Sequence, residues 1–481
     1  MSMTQSLKRS LQLHPRKEAV RFQGRTRSFA EYGERVARLA GALRALGVQP
    51  GDGVAMLAVN SHRYLEYCMA VPWAGAVLNP CNIRWSEQEI VYSLDDSESV
   101  VLIVDDAFAR MGAAIASQCR TVRALIHAGD GDAPQGMLSY EALIRDTEPI
   151  EDAGRAPGDL AGIFYTGGTT GFPKGVMLSH QNLWTSAMCY LLEGFSPEGS
   201  TYLHAAPMFH LADMGLSIAH FLRGGTQAIV PGFEPQAVVD SLVRDGVTDV
   251  LLVPTMIQML VDHPAIAAVR SRLKVQRVLY GASPISEAVL LRAMEAMPGV
   301  QFGQAYGMTE LSPLATFNSF HNHSPEGRAA GKLRAAGRPT FSVELKIVDA
   351  EDREVPRGTV GEVVVRGPNV MLGYWKKPAE TAAALRGGWM HTGDGAYMDD
   401  DGYIFVVDRM KDMIISGGEN VYSAEVENVI AQHPAVASVA VIGIPSERWG
   451  ESVHAVVVLK PDQQADEAGI QAHCKERIAG Y

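Results

Sequence analysis

Tyr165-Thr166-Gly167-Gly168-Thr169-Thr170-Gly171-Phe172-Pro173-Lys174-Gly175 is the stretch on which the reading of this 481-residue chain turns. It follows directly on Ala161 to Tyr165, a short apolar run that reads as a buried strand. Four glycines let the backbone approach a ligand and turn its N–H groups toward one anion, three threonine hydroxyls add donors, and Lys174 supplies a full positive charge. A strand that opens into such a ribbon is a polyphosphate cradle. A plain turn is the bland alternative, but turns seldom gather three threonines and a lysine among four glycines. No G-x-x-x-x-G-K-[ST] can be written, because Pro173 precedes Lys174 and Gly175 follows it, so a P-loop kinase or GTPase is disfavoured.

Outward from the ribbon the same alternation continues. Val100 to Val104, Val250 to Val253 and Val363 to Val365 read as buried strands, and between such runs lie helix-length segments with apolar spacing near three and four, such as Phe29 to Leu46 and Ala288 to Met297. The pattern predicts α/β architecture with parallel sheet. From Ala336 to Val407 glycine is frequent and runs such as Val343 to Val348 alternate with turns like Asp400-Asp401-Gly402, which predicts a small, more antiparallel β unit. After Asp408 come Arg409-Met410-Lys411-Asp412, the pair Gly417-Gly418, a helix from about Ala424 with Ser423 as its N-cap, and strands near Val436 to Ile442 and His454 to Leu459. The expected division is a large unit over 1–408 and a small α+β unit over 409–481, with the boundary at 408–411.

The composition narrows the function classes. The chain is 47% hydrophobic and 20% charged, too apolar for disorder, and no segment of 20 to 50 residues repeats. Lys and Arg number 42 against 54 Asp and Glu, a net charge of −12 without a long basic block, so nucleic acid is excluded as a general partner. Cys68, Cys81, Cys119, Cys189 and Cys474 are scattered, never spaced as CxxC, and read as packing residues in a cytoplasmic protein. No run is long enough to span a bilayer, which needs about 20 residues. Lys8, Arg9, Arg16 and Lys17 leave room for weak peripheral contact with an anionic membrane, although a solvated face is the stronger reading.

Taken in order, the ribbon, Pro207-Met208-Phe209-His210, Gly281-Ala282-Ser283-Pro284, Tyr306-Gly307-Met308-Thr309-Glu310, Gly361-Glu362 through Gly373-Tyr374, Thr392-Gly393-Asp394 and Asp408-Arg409 through Glu427 resemble the adenylate-forming superfamily, specifically the acyl-CoA synthetases, over nearly the whole chain. Any one segment is weak and the ordered set is specific. The resemblance implies ATP, Mg²⁺ and coenzyme A, with the phosphates held by Thr166, Gly167, Gly168, Thr169, Thr170, Gly171 and Lys174. It implies Thr309 at the α-phosphate, Tyr306 stacked on adenine, and Gly307 with Gly281, Ala282 and Ser283 around the nucleotide. Asp394 is then the ribose ligand, assisted by Arg409, since a carboxylate has about four acceptor sites for two vicinal hydroxyls. Glu310 beside a hydroxyl suits Mg²⁺, a hard cation that takes oxygen ligands; standing alone it would read as a solvated acid.

His210 is the expected gate of the acyl pocket, with Met208, Phe209, Met214, Ser283, Met308 and Leu314 as candidate lining, although a lone histidine and apolar residues at such spacings are more often structural. Gly417 and Gly418 resemble the glycines of the pantetheine channel, and Lys411 is the expected hinge about which the small unit rotates between two steps. Those steps are attack of a carboxylate on the α-phosphorus of ATP and attack of a thiol on the acyl-adenylate, without an enzyme nucleophile. The Gly167-Gly168 form tilts the substrate toward a medium or long fatty acid; an aryl or short acid is the alternative. Relatives also carry a C-terminal Gly-Lys motif some two dozen residues beyond Tyr481, absent between Ile470 and Tyr481, and the expectation is a sequence cut short of it. A nucleotide-binding pseudoenzyme is the rival reading.

Overall fold

The computed structural model describes residues 2–167, 172–410, 412–416, 419–446 and 448–478, so Gly168, Thr169, Thr170, Gly171, Lys411, Gly417 and Gly418 lie outside the described residues. Among the described residues the strands form four sheets. Nine strands run, from one edge, Arg338–Pro339, Thr316–Asn318, Gln301–Tyr306, Arg277–Gly281, Asp249–Leu252, Thr201–His204, Thr226–Ile229, Glu18–Phe22 and Arg25–Ser28. The five from Gln301–Tyr306 to Thr226–Ile229 are mutually parallel. Eight more run Gly373–Tyr374, Lys174–Ser179, Leu160–Thr166, Val77–Pro80, Gly53–Leu57, Ser99–Val104, Ala124–His127 and Leu138–Ser139. Leu160–Thr166 is antiparallel to Lys174–Ser179 and Thr166 pairs with Lys174, so the two strands flank the glycine ribbon.

Local chemistry explains why the elements begin where they do. The helix Phe29–Ala45 starts at a capping box in which Ser28 accepts from the amide of Glu31 and Glu31 returns a bond to the amide of Ser28. The helix His62–Trp73 is buried along its whole length, and its Glu66 carboxylate is met by Arg35 at 2.6 Å and by the hydroxyl of Tyr140 at 3.0 Å. One apolar core runs through both large sheets and reaches the antiparallel sheet of Glu344–Val348, Gly361–Arg366, Met390–Met398 and Ile404–Arg409. A separate core of Ile414, Val421, Ile430, Val436 and Val441 serves the last sheet, in which Val436–Ser446 pairs with Gly450–Leu459.

One local expectation is corrected. The helix begins at Ser423 itself, with Tyr422 in the cap position, and the amide of Ser423 donates at 2.8 Å to the carboxylate of Asp408. A side chain from the preceding sheet takes the place of the serine hydroxyl. At the basic N-terminus Lys8, Arg9 and Arg16 are exposed, as a solvated face requires, and several of the charges also have partners. Lys8 lies 3.3 Å from Asp152, Arg9 donates to the carbonyl of Leu222 at 3.1 Å, and Lys17 donates to the carbonyl of Gly224. Among the described residues no helix is long and apolar enough to cross a membrane.

Candidate active site

Parallel sheets present loops at the carboxyl ends of their strands, and ligands settle there. Four of the segments singled out in the sequence sit at such ends: His210 after Thr201–His204, Ala282 and Ser283 after Arg277–Gly281, Gly307 to Glu310 after Gln301–Tyr306, and Gly167 after Leu160–Thr166. The loop after Tyr306 turns too sharply for a side chain at Gly307, where a Cβ would stand 2.0 Å from the carbonyl oxygen of Pro313. Gly281 is equally constrained, its Cβ position lying 2.2 Å from the carbonyl oxygen of Ala305 on the neighbouring strand.

Two groups of side chains form on this frame. In the first, the hydroxyl of Tyr374 donates to Glu310 Oε1 at 2.9 Å while the Lys174 ammonium lies 4.6 Å from the centroid of the Tyr374 ring. Glu310 is 5% exposed, so it is not the solvated acid that an isolated glutamate suggests. Burial raises its pKa above the ordinary carboxylate range, against the pull of the Tyr374 hydroxyl, Lys174 and Arg409. In the second group, the Tyr306 hydroxyl donates to Asp394 Oδ2 at 2.7 Å, and Arg409 Nε lies 3.4 Å from Asp394 Oδ1, the two residues facing each other across paired strands. Burial raises the pKa of Asp394 as well, opposed by Tyr306 and Arg409.

The remaining candidates fall around these groups. Thr309 and Met308 are half-buried, whereas Ala282 and Ser283 are exposed and Ala282 holds a left-handed φ of 68°. Met208, Phe209, Met214 and Leu314 belong to the core. His210 stands at the N-cap position of the helix Leu211–Leu222 without a capping bond from its side chain, its ring centroid 4.2 Å from that of Phe209. Its surface is open to solvent, yet the surrounding protein, then Arg84, lowers its pKa to about 4. All five cysteines are free, and burial pushes the Cys81 thiol up to about 12 and Cys119 to about 11, so neither offers a thiolate near neutral pH.

Three contributors were missed as individual residues although they lie within the quoted run from Gly361 to Tyr374. Tyr374 joins Lys174 to Glu310. Glu362 accepts from the amide of Gly393 at 2.9 Å and holds His391 at 2.8 Å, which steadies the turn into Asp394. Asn369 donates to the carbonyls of Leu311 and Leu314, clamping the turn after Glu310. Their signal was position inside a matched segment; their partners were not legible.

Among the described residues no cluster of three or more His, Cys, Asp or Glu side chains could hold a metal by itself. A lone buried carboxylate beside a threonine hydroxyl fits Mg²⁺, which binds through one or two carboxylates together with waters and substrate phosphates.

The sequence model of AMP-binding enzymes matches residues 7–375, and that of the AMP-binding enzyme C-terminal domain matches residues 425–481. A feruloyl-CoA synthase from an Amycolatopsis species is 40% identical over 98% of this chain and 92% of its own. A medium/long-chain-fatty-acid–CoA ligase from Mycobacterium tuberculosis is 34% identical over 97% and 81%. Among solved structures, ATP-bound MatB from Rhodopseudomonas palustris superposes with a TM-score of 0.89 at 30% identity, covering 100% of this chain and 93% of that one. The o-succinylbenzoate CoA synthetase of Bacillus subtilis, in complex with its acyl-adenylate, gives 0.85 at 31% identity, covering 99% and 92%.

Proposed function

This chain belongs to the AMP-binding enzyme family and is an acid–thiol ligase that works through an acyl-adenylate, and we propose that its two side-chain groups divide the nucleotide between them. Tyr306, Asp394 and Arg409 take the adenosine end, Asp394 accepting from the ribose hydroxyls. Lys174, Thr309 and the ribbon from Thr166 to Gly171 take the phosphates. A carboxylate oxygen of the acid attacks the α-phosphorus, the bond to the bridging oxygen breaks, and pyrophosphate leaves with its charge offset by Lys174. Mg²⁺, when it arrives with the nucleotide, would be held by Glu310 and would neutralise phosphate charge. The thiol of coenzyme A then attacks the acyl carbon, losing its proton as AMP departs with the electron pair of the acyl–oxygen bond. Gly417 and Gly418 line the approach of the thiol, and the unit after residue 408 turns about Lys411 between the steps.

The observation that carries this reading is that Lys174 and Glu310 meet on Tyr374 and that Tyr306 meets Asp394, side chains contributed by separate sheets. The fatty-acid expectation has relatives named for such acids behind it. An aryl-substituted acid, the alternative, is our preferred reading, with the 40% identity to a feruloyl-CoA synthase in support, beside 34% and 37% for fatty-acid ligases. A CoA-dependent AMP-formation screen over aryl, medium-chain and long-chain acids tests this. Turnover should concentrate on the aryl acids, and K174A should lower it by about 10²-fold, as loss of one preorganised charge does elsewhere. Preference for fatty acids would restore the first expectation; nucleotide binding without pyrophosphate release from any acid would favour the binding-only rival.

A further inference from the structure

We propose that Tyr374 is a positioning residue that keeps Lys174 and Glu310 apart and aimed at the nucleotide, an inference that rests on the site reading above. Lys174 and Glu310 carry opposite charges, and both meet the same side chain: the ammonium sits 4.6 Å from the ring centroid and the carboxylate accepts from the hydroxyl at 2.9 Å. Yet they form no ion pair with each other among the described residues. With Glu310 buried and Lys174 half-buried, an ammonium and a carboxylate left free would collapse together, and each would then be spent on the other instead of on phosphate and metal. Tyr374 gives each a weaker partner. The ring face attracts the cation, and the hydroxyl occupies a single lone pair of a carboxylate that has about four acceptor sites.

Its backbone is built for the task. Gly373 and Tyr374 form an edge strand in register with Met177 and Val176, on the strand that Lys174 begins. The next residue, Trp375, donates its amide to the carbonyl of Gly175 at 2.8 Å and its indole N–H to the carbonyl of Asp96 at 2.7 Å. The tyrosine amide donates to Thr381 Oγ1 at 2.9 Å, which fixes the other side. Gly373 lets that clasp close: with φ at 141°, a Cβ there would stand 2.6 Å from Thr381 Cγ2.

Calorimetric titration of ATP, once with a chelator and once with Mg²⁺, separates the two halves of the contact. Y374F retains the ring, so metal-free affinity should match the wild type while the gain from Mg²⁺ shrinks by about tenfold or more, the worth of one hydrogen bond to a charged group. Y374L removes both contacts and should also lower metal-free affinity, by about tenfold, as Lys174 turns to Glu310. Adding E310Q to Y374L removes the competing charge and should restore metal-free affinity. Y374M is measured beside Y374L, with melting curves for each, so that misfolding of one leaves the comparison intact. Wild-type metal-free affinity in Y374L and Y374M, or no restoration by E310Q, overturns the proposal. Failure of the wild type to bind ATP overturns the site reading and this inference with it.

Discussion

Asp394 shows how much a single side chain owes to its surroundings. Between Tyr306 and Arg409 it is poised to accept from vicinal hydroxyls, and burial holds its pKa above that of an ordinary aspartate. The ionised form is the stronger acceptor for both hydroxyls, since protonation turns one oxygen into a donor. ATP affinity is therefore full above the raised pKa and declines as pH falls through it, so the KM for ATP should climb on acidification, beginning at a higher pH than an ordinary aspartate would give. His210 does not contribute to that limb near neutrality, because its pKa is lowered to about 4 and the ring is uncharged there. In D394N the KM for ATP should be about tenfold higher and nearly independent of pH, at the cost of one charge-assisted hydrogen bond. A D394N profile that keeps the wild-type limb assigns the titration to another group. The sequence named Asp394 and Arg409 together, but it read Glu310 in isolation as a solvated acid, because burial is a property of what folds over a residue.

At the scale of elements, the reach from the strand Gln301–Tyr306 to Glu310 depends on a glycine. G307A would drive a methyl group against the carbonyl of Pro313, and the turn Thr309–Leu311 has little room to yield, since Asn369 clamps it from the other side. We expect a loss of about 1–3 kcal/mol from overpacking, together with a weakened response of ATP affinity to Mg²⁺. Thermal unfolding and ATP titration check both; a variant that melts and binds like the wild type refutes the clamp. Strand and helix positions were legible because they rest on short-range periodicity: Ser99–Val104, Leu160–Thr166 and Phe29–Ala45 fall where the apolar pattern puts them. The cap of the helix at Ser423 was not, since its amide is taken by Asp408, fifteen residues upstream and on another sheet. A window that scans neighbours for a capping hydroxyl is blind to such a donor-acceptor pair.

For the whole molecule, the last sheet has a core of its own around Ile414, Ile430 and Val441, which supports the proposal that Lys411 is a hinge, and that proposal makes a testable claim. K411P, which fixes one backbone dihedral, should depress thioester formation at least about tenfold more than adenylate formation. Measuring pyrophosphate release and CoA-dependent AMP release in parallel decides it, and equal loss of both steps removes Lys411 from the hinge. Residue order alone determined the alternation of strand and helix, the glycine ribbon with its lysine, and the succession of segments that marks the family, because each is a property of neighbours along the chain. Only the folded arrangement decided that Lys174, Glu310 and Tyr374 share one contact and that Tyr306 reaches Asp394, eighty-eight residues away. Such meetings depend on which strands lie side by side, and strand order in a parallel sheet is chosen by the packing of the entire core.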